Sequence, residues 1–528
     1  MFASVQSATL LGVFGQPVTV EVHVSAGLPG FNVVGLPDAA IRESRERVRA
    51  ALLSSGLMWP IRRVTVNLAP GGVRKSGGGL EVAVAVALLA ASGDLVDDED
   101  PRVDPAALEG MAVLGELGLD GHIRPIPGVL AMVDSLRGSG VRRVVVPMAN
   151  ASEAALVPGI EVRAVRHLRE LHDVLAGDAP WPDIVDRSSP DGFAAREAAC
   201  SAGGSGGVSL DDDVDADDEL LDLADVRGQS TARVALAACA AGGHHMLLTG
   251  PPGAGKTMLA RRLPTILPPL TSDEALAVTR IQSACGDLPV ARLATRRPFV
   301  SPHHSASVPA IVGGGSGRPH PGAVTRAHHG TLFLDELGEF PPRALEALRQ
   351  PLEAGSVMIA RQPIALTFPA SFVLVACTNP CPCGLGGRAC RCSDVQRTRY
   401  ARRLSEPLLD RFDLRVVVDR PRGNDPVGPP SSEVRARVLV AVERQLHRYA
   451  ARPWSRNARV PPGALPTDLP LDADADATWR AVCEERLLTG RGAARVRRVA
   501  RTLADLDDVA DITSEHVELA AALREDVS

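Results

Sequence analysis

The alternation of apolar and polar positions along the chain divides it into parts of different character. From residue 1 to 175, strand-like runs such as VTVEVHV and RRVTVNL alternate with helical ones such as DAAIRESRERVRAALLSSG and LEVAVAVALLAASG. Apolar residues at every second position favour half-buried strands, whereas apolar residues three and four apart favour amphipathic helices. We therefore expect residues 1–175 to form a domain of mixed helices and strands.

A break in composition follows between residues 176 and 222. The chain becomes rich in Pro, Gly and Ser, and then acidic in the run DDDVDADDELLD. Such a segment buries too little apolar surface to fold alone, so we interpret residues 176–222 as a linker.

Residues 223–425 return to alternating strands and helices. The apolar runs HHMLLTG, TLFLDEL and FVLVACTN each end at polar or glycine residues, which is typical of buried parallel strands. Binding sites form beyond the carboxyl ends of such strands. After a proline-rich loop, residues 432–528 are rich in Ala, Arg and Leu, and they predict a helical lid domain.

A glycine-rich motif connects the first of these strands to a helical stretch. It fits the GxxxxGK[ST] pattern of a phosphate-binding loop, in which glycines let backbone N–H groups approach phosphates. The motif comprises Gly250, Pro251, Pro252, Gly253, Ala254, Gly255, Lys256 and Thr257. We expect Lys256 to reach the β- and γ-phosphates of ATP and Thr257 to bind Mg²⁺.

Polar residues at the ends of the next two strands complete the predicted site. Asp335 would hold the magnesium ion and Glu336 would polarise the attacking water, as in a Walker B motif. Asn379 could orient that water beside the γ-phosphate. Arg411 and Arg491 are candidates for positive charges that stabilise the transition state, although each could also be an ordinary surface residue.

Composition and charge narrow the class of protein. No uninterrupted apolar run approaches the roughly 20 residues that a membrane span needs, and the N-terminus does not resemble an export signal. We therefore expect a cytoplasmic protein. The net charge of -6 gives no global attraction to nucleic acid. Only Lys75 and Lys256 are lysines among the 57 basic residues, which indicates positions where arginine substitutes poorly.

Several motifs together resemble one family. GPPGAGKT, SPHHSAS, GAVTRAHHGTLFLDEL, ACTNPCPCG, LLDRFDL and RVARTLADL are similar to the ComM/YifB family of bacterial Mg-chelatase-like AAA+ ATPases. VVGLPDAAIRESRERVRAAL and NLAPGGVRKSGGGLEVAVAVALLAASG resemble its Lon-type, ribosomal S5-like domain. The resemblance implies a multidomain α/β protein, with a Lon-like N-terminal domain, a P-loop AAA+ core with a parallel sheet, and a C-terminal helical lid.

The resemblance also implies a function. Family members resemble a hexameric helicase that drives branch migration of DNA during recombination in natural transformation. In that scheme Asn379 is sensor 1, Arg411 is an arginine finger into the neighbouring subunit and Arg491 is sensor 2. Residues 301–330 and 356–368 would be loops that face a central pore and contact single-stranded or branched DNA.

Other functions stay open. The chain could be a true Mg-chelatase ATPase subunit or an ATP-dependent protein remodeller, although the Lon-like domain favours the DNA motor. Histidines in the expected pore segment could contact DNA or could be ordinary loop residues; they are His303, His304, His328 and His329. Proteolysis is not expected, because Ser76 beside Lys75 does not fit the Lon-type pattern of nucleophile and base.

Four cysteines form a CxC-x₆-CxC pattern directly after Asn379. They are Cys381, Cys383, Cys390 and Cys392. Four thiolates at this spacing can close a tetrahedral zinc site, and a reducing cytoplasm favours metal over disulfides. Free thiols, another metal or a redox role are the alternatives. A site with four protein ligands would be structural, because it has no open coordination position.

Overall fold

The computed structural model describes residues 1–35, 39–71, 75, 78–93, 102–183, 221–286, 290–315, 319–361, 364–386, 390–422 and 424–524. Its contacts divide the chain into two units. Unit 1 comprises Met1–Gly207 and Ala275–Ala294, and unit 2 comprises Val208–Glu274 and Thr295–Ser528. Most of the expected linker, residues 184–220, lies outside the described residues, so that expectation stays a prediction.

Unit 1 is built on a mixed seven-stranded sheet in the order β3-β4-β2-β1-β5-β8-β9. The sheet strands are β1 (Phe2–Leu11), β2 (Phe14–Ser25), β3 (Gly30–Val34), β4 (Arg63–Ala69), β5 (Met111–Val113), β8 (Arg143–Pro147) and β9 (Glu161–Val165). Two short strands, β6 (Glu116–Leu117) and β7 (Ile123–Arg124), form a separate ribbon. The β1–β2 and β2–β4 pairs are antiparallel, whereas the other pairs are parallel.

The helices of unit 1 cover this sheet. They are α1 (Ala39–Ser54), α2 (Glu81–Ala91), α3 (Val129–Gly138), α4 (Ala151–Ala154) and α5 (Leu168–Ala176). In β2, Val18, Val20, Val22 and Val24 are buried while the residues between them are not, as the period-two pattern predicts. Their side chains share one apolar cluster with α2, and a second cluster contains α3.

A segment from the middle of the sequence belongs to unit 1. Ala275–Ala294 carries most of a helix, α9 (Ser272–Cys285). The Ser283 carbonyl accepts a hydrogen bond from Gly128 N at 2.9 Å, and the Ser283 hydroxyl donates to the buried carboxylate of Glu153. The sequence pattern gave no sign of this packing, because it depends on contacts between residues more than 100 positions apart.

Unit 2 contains a five-stranded sheet in which all pairs are parallel, as the buried apolar runs predict. Its order is β11-β14-β17-β10-β18. The strands are β10 (Met246–Thr249), β11 (Phe299–Val300), β14 (Thr331–Leu334), β17 (Val373–Thr378) and β18 (Leu414–Val417). Two hairpins lie outside the sheet: β12 (Gly313–Gly314) pairs with β13 (His320–Pro321), and β15 (Ser356–Arg361) pairs with β16 (Ile364–Pro369).

Helices before and between the strands complete the first part of unit 2. They are α6 (Ser230–Gly242), α7 (Lys256–Arg261), α8 (Leu263–Ile266), α10 (Val308–Val312), α11 (Ala323–Arg326), α12 (Pro342–Ala347), α13 (Arg349–Ala354), α14 (Asp394–Ala401) and α15 (Glu406–Leu409). Helix α6 packs on the sheet through buried apolar residues, among them Ala235, Leu236 and Cys239. The order of the sheet places β10, which precedes the glycine-rich motif, between β17 and β18.

The C-terminal part of unit 2 is helical. Its helices are α16 (Ser431–Arg448), α17 (Leu465–Asp468), α18 (Ala473–Glu485), α19 (Gly490–Leu506) and α20 (Ser514–Ala522). Val438, Val499 and Val517 from these helices share one apolar cluster with Met246 and Val375 of the sheet. Among the described residues, no helix is both long enough and apolar enough to cross a lipid bilayer.

A buried ionic group lies in the same unit. The carboxylate of Asp413 accepts from His244 Nδ1 at 3.3 Å and pairs with Arg495 Nε at 3.0 Å. Burial opposes ionisation of Asp413, but the His244 hydrogen bond and nearby positive charges hold its pKa well below the usual range. Asp413 is therefore a charged part of the core.

Candidate functional site

The glycine-rich motif forms a loop between the buried end of β10 and the start of α7. Gly253 and Gly255 have φ values of 77° and 90°, a conformation that residues with a Cβ rarely adopt. At Gly250, a Cβ would lie only 2.1 Å from the carbonyl oxygen of Val418, so the close approach of the two chain segments requires glycine. These constraints shape a loop whose helix begins at Lys256.

The ammonium group of Lys256 connects this loop to the neighbouring strand. It donates to the carbonyl oxygens of Gly250 at 2.6 Å and Pro251 at 3.1 Å, and to Asn379 Oδ1 at 3.0 Å. Asn379 comes directly after β17, which pairs with β10 in the sheet. Burial lowers the pKa of Lys256, while nearby negative charges oppose the shift. Two residues predicted separately thus lie in contact.

The helix start is also connected to the acidic pair. Thr257 Oγ1 donates to Asp335 Oδ2 at 2.8 Å, and Asp335 Oδ1 accepts from the backbone N–H of Glu336 at 3.0 Å. Glu336 follows β14 and has a φ of 53°, in the left-handed region that non-glycine residues rarely occupy. A hydroxyl and a carboxylate in contact are oxygen ligands of the kind that Mg²⁺ prefers.

A histidine that the sequence pattern did not connect with Glu336 lies beside it. His304 Nδ1 is 3.4 Å from Glu336 Oε2, and the His304 ring lies against the ring of His303, with centroids 4.1 Å apart. The sequence predicted these histidines as possible pore residues, whereas this contact needs a turn that brings residue 304 to the end of β14.

Two other predicted pore histidines have internal partners. His328 Nδ1 accepts from Ser371 N at 3.0 Å, and His329 Nδ1 lies 3.5 Å from Glu274 Oε1. Burial lowers the pKa of His329. This pair is accordingly of the ordinary structural kind that the sequence left open, and we do not assign it to ligand contact.

The two predicted arginines, Arg411 and Arg491, are close enough in space for their charges to interact. Arg411 is mostly buried and pairs with Glu353 of α13. Burial lowers the pKa of Arg411, and the positive charges of Arg491, Arg495 and Arg349 lower it further. Arg411 and Arg491 are therefore electrostatic neighbours, although they are 80 positions apart in the sequence.

The four cysteines gather into one cluster. Their sulfur atoms all lie within 4.8 Å of one another, and Cys381 is buried while the other three are half-buried; the cluster comprises Cys381, Cys383, Cys390 and Cys392. Backbone N–H groups of Arg391 and Leu385 lower the pKa of Cys383 to about 6. The donor set fits a thiophilic metal ion such as Zn²⁺.

In unit 1, the ammonium group of Lys75 is buried and donates to the carbonyl oxygen of Pro70, and burial lowers its pKa. Ser76 lies outside the described residues, so the expectation that Ser76 and Lys75 do not form a catalytic pair stays a prediction.

Three family descriptions match consecutive parts of the chain. "Magnesium chelatase, subunit ChlI" matches residues 222–425, "Subunit ChlI of Mg-chelatase" matches residues 20–150, and "Magnesium chelatase, subunit ChlI C-terminal" matches residues 428–524. The first match spans the loop, the acidic pair, Asn379 and the cysteine cluster.

Similar proteins match the chain over nearly its full length. An uncharacterized protein of Mycobacterium tuberculosis is 43% identical over 526 residues, which cover 98% of this chain and 97% of that protein. YifB of Escherichia coli is 38% identical over 527 residues, or 98% and 96% of the two chains. Competence protein ComM of Haemophilus influenzae is 37% identical over 529 residues, or 99% and 97%.

A shorter match, 27% identical over 184 residues and covering 31% of each chain, is to Lon protease 2 of Bacillus subtilis. It agrees with the expected Lon-like part. The matches to YifB and ComM confirm the resemblance drawn from the motifs, because they extend over both units. The chain belongs to the ComM/YifB family of Mg-chelatase-like AAA+ ATPases.

Proposed function

We propose that this chain is an ATP-driven motor that acts on branched or single-stranded DNA in the cytoplasm. It works as a ring of identical subunits, and the family resemblance implies six of them. The proposed use of ATP rests on two contacts, Lys256–Asn379 and Thr257–Asp335. They bring a phosphate-binding ammonium, a magnesium ligand and a water-orienting amide together at the ends of three adjacent strands.

The roles of these groups follow from their chemistry. The loop N–H groups and Lys256 bind the phosphates, and Thr257 with Asp335 binds Mg²⁺. Bound Mg²⁺ neutralises charge on the phosphate oxygens. Glu336 accepts a proton from the attacking water, while Asn379 holds that water in line with the γ-phosphate. ATP hydrolysis then yields ADP and phosphate.

The ring part of the proposal is supported by Arg411 and Arg491. A nucleotide site needs positive charge near the γ-phosphate in the transition state. Among the described residues, Lys256 donates to the loop carbonyls of Gly250 and Pro251, and Arg420 donates to that of Pro252. Arg411 and Arg491 lie near each other, with Arg411 paired to Glu353 rather than to the loop. We infer that both serve the nucleotide of the neighbouring subunit.

The DNA part is supported by the two hairpins and by the relationship to a competence protein. On β15, Met358 has 59% of its surface exposed, and residues 362–363, between β15 and β16, lie outside the described residues. Exposed hairpins can follow a DNA backbone without reading its bases. His328 is buried and His329 half-buried against internal partners, whereas His303 is exposed and hydrogen-bonds to the nearby Ser305. We therefore assign DNA contact to the hairpins and to His303.

The test is ATP turnover by the purified chain with and without DNA. We expect single-stranded and three-stranded branched DNA to raise the rate at least fivefold, and we expect ATP-dependent strand displacement from the branched substrate. The Lys256→Ala variant is the control and should do neither. ATP turnover that no DNA stimulates would contradict the DNA motor. It would favour a chelatase-type or protein-remodelling ATPase, which the Mg-chelatase family matches also accommodate.

A further inference from the structure

The sulfur atoms of the cysteine cluster have the spacing of ligands around one metal ion. Cys381 Sγ lies 3.3 Å from Cys383 Sγ and 3.5 Å from Cys390 Sγ, and the distance between Cys383 Sγ and Cys390 Sγ is 3.9 Å. A disulfide would require about 2.05 Å. Four sulfurs bound at about 2.3 Å to a tetrahedral zinc ion lie about 3.8 Å apart. The three distances are within about 0.5 Å of the zinc value and far too long for a disulfide.

The backbone around the cluster is shaped to present these sulfurs. Gly384 has a φ of 78°, and its N–H donates to the carbonyl oxygen of Cys381 at 2.9 Å, which closes a tight turn. The N–H of Cys383 points to Cys392 Sγ at 3.3 Å. An N–H group directed at a ligand sulfur is an outer-shell contact that orients the ligand. Residues 387–389, between the two cysteine pairs, lie outside the described residues.

The same turn packs against the phosphate-binding loop. A Cβ at Gly384 would lie 2.6 Å from Cδ of Pro252, so the backbone at Gly384 packs against the ring of Pro252 in a space that only glycine fits. Only two positions before Cys381, Asn379 accepts a hydrogen bond from Lys256. The segment from Asn379 to Gly384 thus contacts the phosphate-binding loop at two points.

We propose that Cys381, Cys383, Cys390 and Cys392 bind one structural Zn²⁺, and that this ion holds Asn379 and Gly384 against the phosphate-binding loop. The ion has four protein ligands, so it takes no direct part in hydrolysis. Its effect is on nucleotide affinity, because without it the segment is free to leave Pro252 and Lys256. This coupling rests on the nucleotide site proposed above, whereas the zinc site does not.

The first experiment measures metal content in the full-length chain purified under reducing conditions without chelators. Mass spectrometry of the elements should find about one zinc per chain in the wild type. The Cys390→Ser/Cys392→Ser variant should contain none, because two ligands cannot retain the ion. Cys483→Ser, which removes a cysteine of helix α18 outside the cluster, should keep the metal. A wild-type protein with no zinc, or with iron in its place, would overturn the zinc site.

The second experiment measures binding of a fluorescent ATP analogue by the same proteins. We expect a Kd about tenfold higher for the double variant and an unchanged Kd for Cys483→Ser. To exclude a general folding defect, zinc is also removed from the wild type with a strong chelator and then restored. The Kd should rise on removal and recover on restoration. A Kd that stays within twofold throughout would refute the coupling and leave the zinc site intact.

Neither measurement involves DNA. A chain that binds zinc and nucleotide but is not stimulated by DNA would contradict only the motor. If DNA stimulates ATP turnover but the Kd for nucleotide does not change when zinc is removed, only the coupling is contradicted.

Discussion

Replacement of Lys256 by alanine is the most direct test of the nucleotide site. In the structure its ammonium has three acceptors, at distances between 2.6 and 3.1 Å. When phosphates are bound, that ammonium faces oxygens of full negative charge. At about 3 Å and an effective dielectric constant of about 20, this attraction is about 5 kcal/mol before the loss of hydration is subtracted.

Removal of one preorganised donor to a developing charge typically costs about 3–4 kcal/mol in the barrier, or about 10²- to 10³-fold in rate. We expect Lys256→Ala to lose ATP turnover by at least 100-fold, measured as steady-state phosphate release. Folding should change little, because the three acceptors are only partly buried and water can replace the ammonium.

Two further variants separate charge from position. Lys256→Arg keeps the charge but carries a planar fork in place of a compact ammonium, so we expect it to recover little of the lost rate. Arg261→Ala removes an exposed cation from the last turn of the same helix, and it should turn over ATP within twofold of the wild type. If Lys256→Ala retains a third or more of wild-type turnover, the assignment of the phosphate-binding lysine is wrong.

Three other predictions follow from the charges described above. Glu336→Gln should bind ATP normally but hydrolyse it at least 100-fold more slowly, because an amide cannot accept the proton of water; equal loss of binding in an equilibrium titration would contradict this. Arg411→Ala should leave the nucleotide affinity of an isolated subunit unchanged while it reduces ATP turnover of the assembled protein. If Arg411 acts on a neighbour, mixing these subunits with Glu336→Gln subunits should restore part of the turnover, because the first variant keeps an intact Glu336 and the second an intact Arg411. The pKa of Asp413 is lower in the folded chain than in the unfolded one, so the stability it contributes is complete above about pH 4 and is lost as the pH falls below that value. Asp413→Ala should lower the free energy of unfolding by about 3–5 kcal/mol at pH 7, since it leaves the charge of Arg495 buried without its partner. Urea unfolding of both proteins at pH 7 and pH 3 measures this loss and its dependence on pH. An equal loss of unfolding free energy at the two pH values would contradict the reasoning.

Much of the nucleotide site could be predicted because its signals are local. The loop at 250–257 carries its own pattern of glycines, and the apolar runs before Asp335 and Asn379 identify strands by composition alone. Strands buried on both faces are parallel, and the carboxyl ends of parallel strands meet at one edge. The approach of Lys256 to Asn379 follows from these rules once β10 and β17 are neighbours.

Other contacts had no local signal. The position of His304 beside Glu336 depends on the path of a loop after β11, and the proximity of Arg411 to Arg491 depends on how a C-terminal helix packs. The spacing of the cysteines suggested a metal, but nothing in that spacing indicated that the turn at Gly384 meets Pro252. Such contacts arise from tertiary packing, which a pattern along one strand or helix does not encode.

The packing of Ala275–Ala294 into unit 1 means that sequence boundaries and spatial boundaries differ in this chain. A shortened protein that begins at residue 222 would remove the apolar cluster of unit 1 against which Leu276 packs, and Ser283 would lose Glu153. A fragment that ends at residue 183 would lack the Ser283 hydroxyl, one of the donors to the Glu153 carboxylate. A truncated N-terminal protein should therefore include residues 275–294. A truncated C-terminal protein should instead have polar residues on the apolar face of that helix.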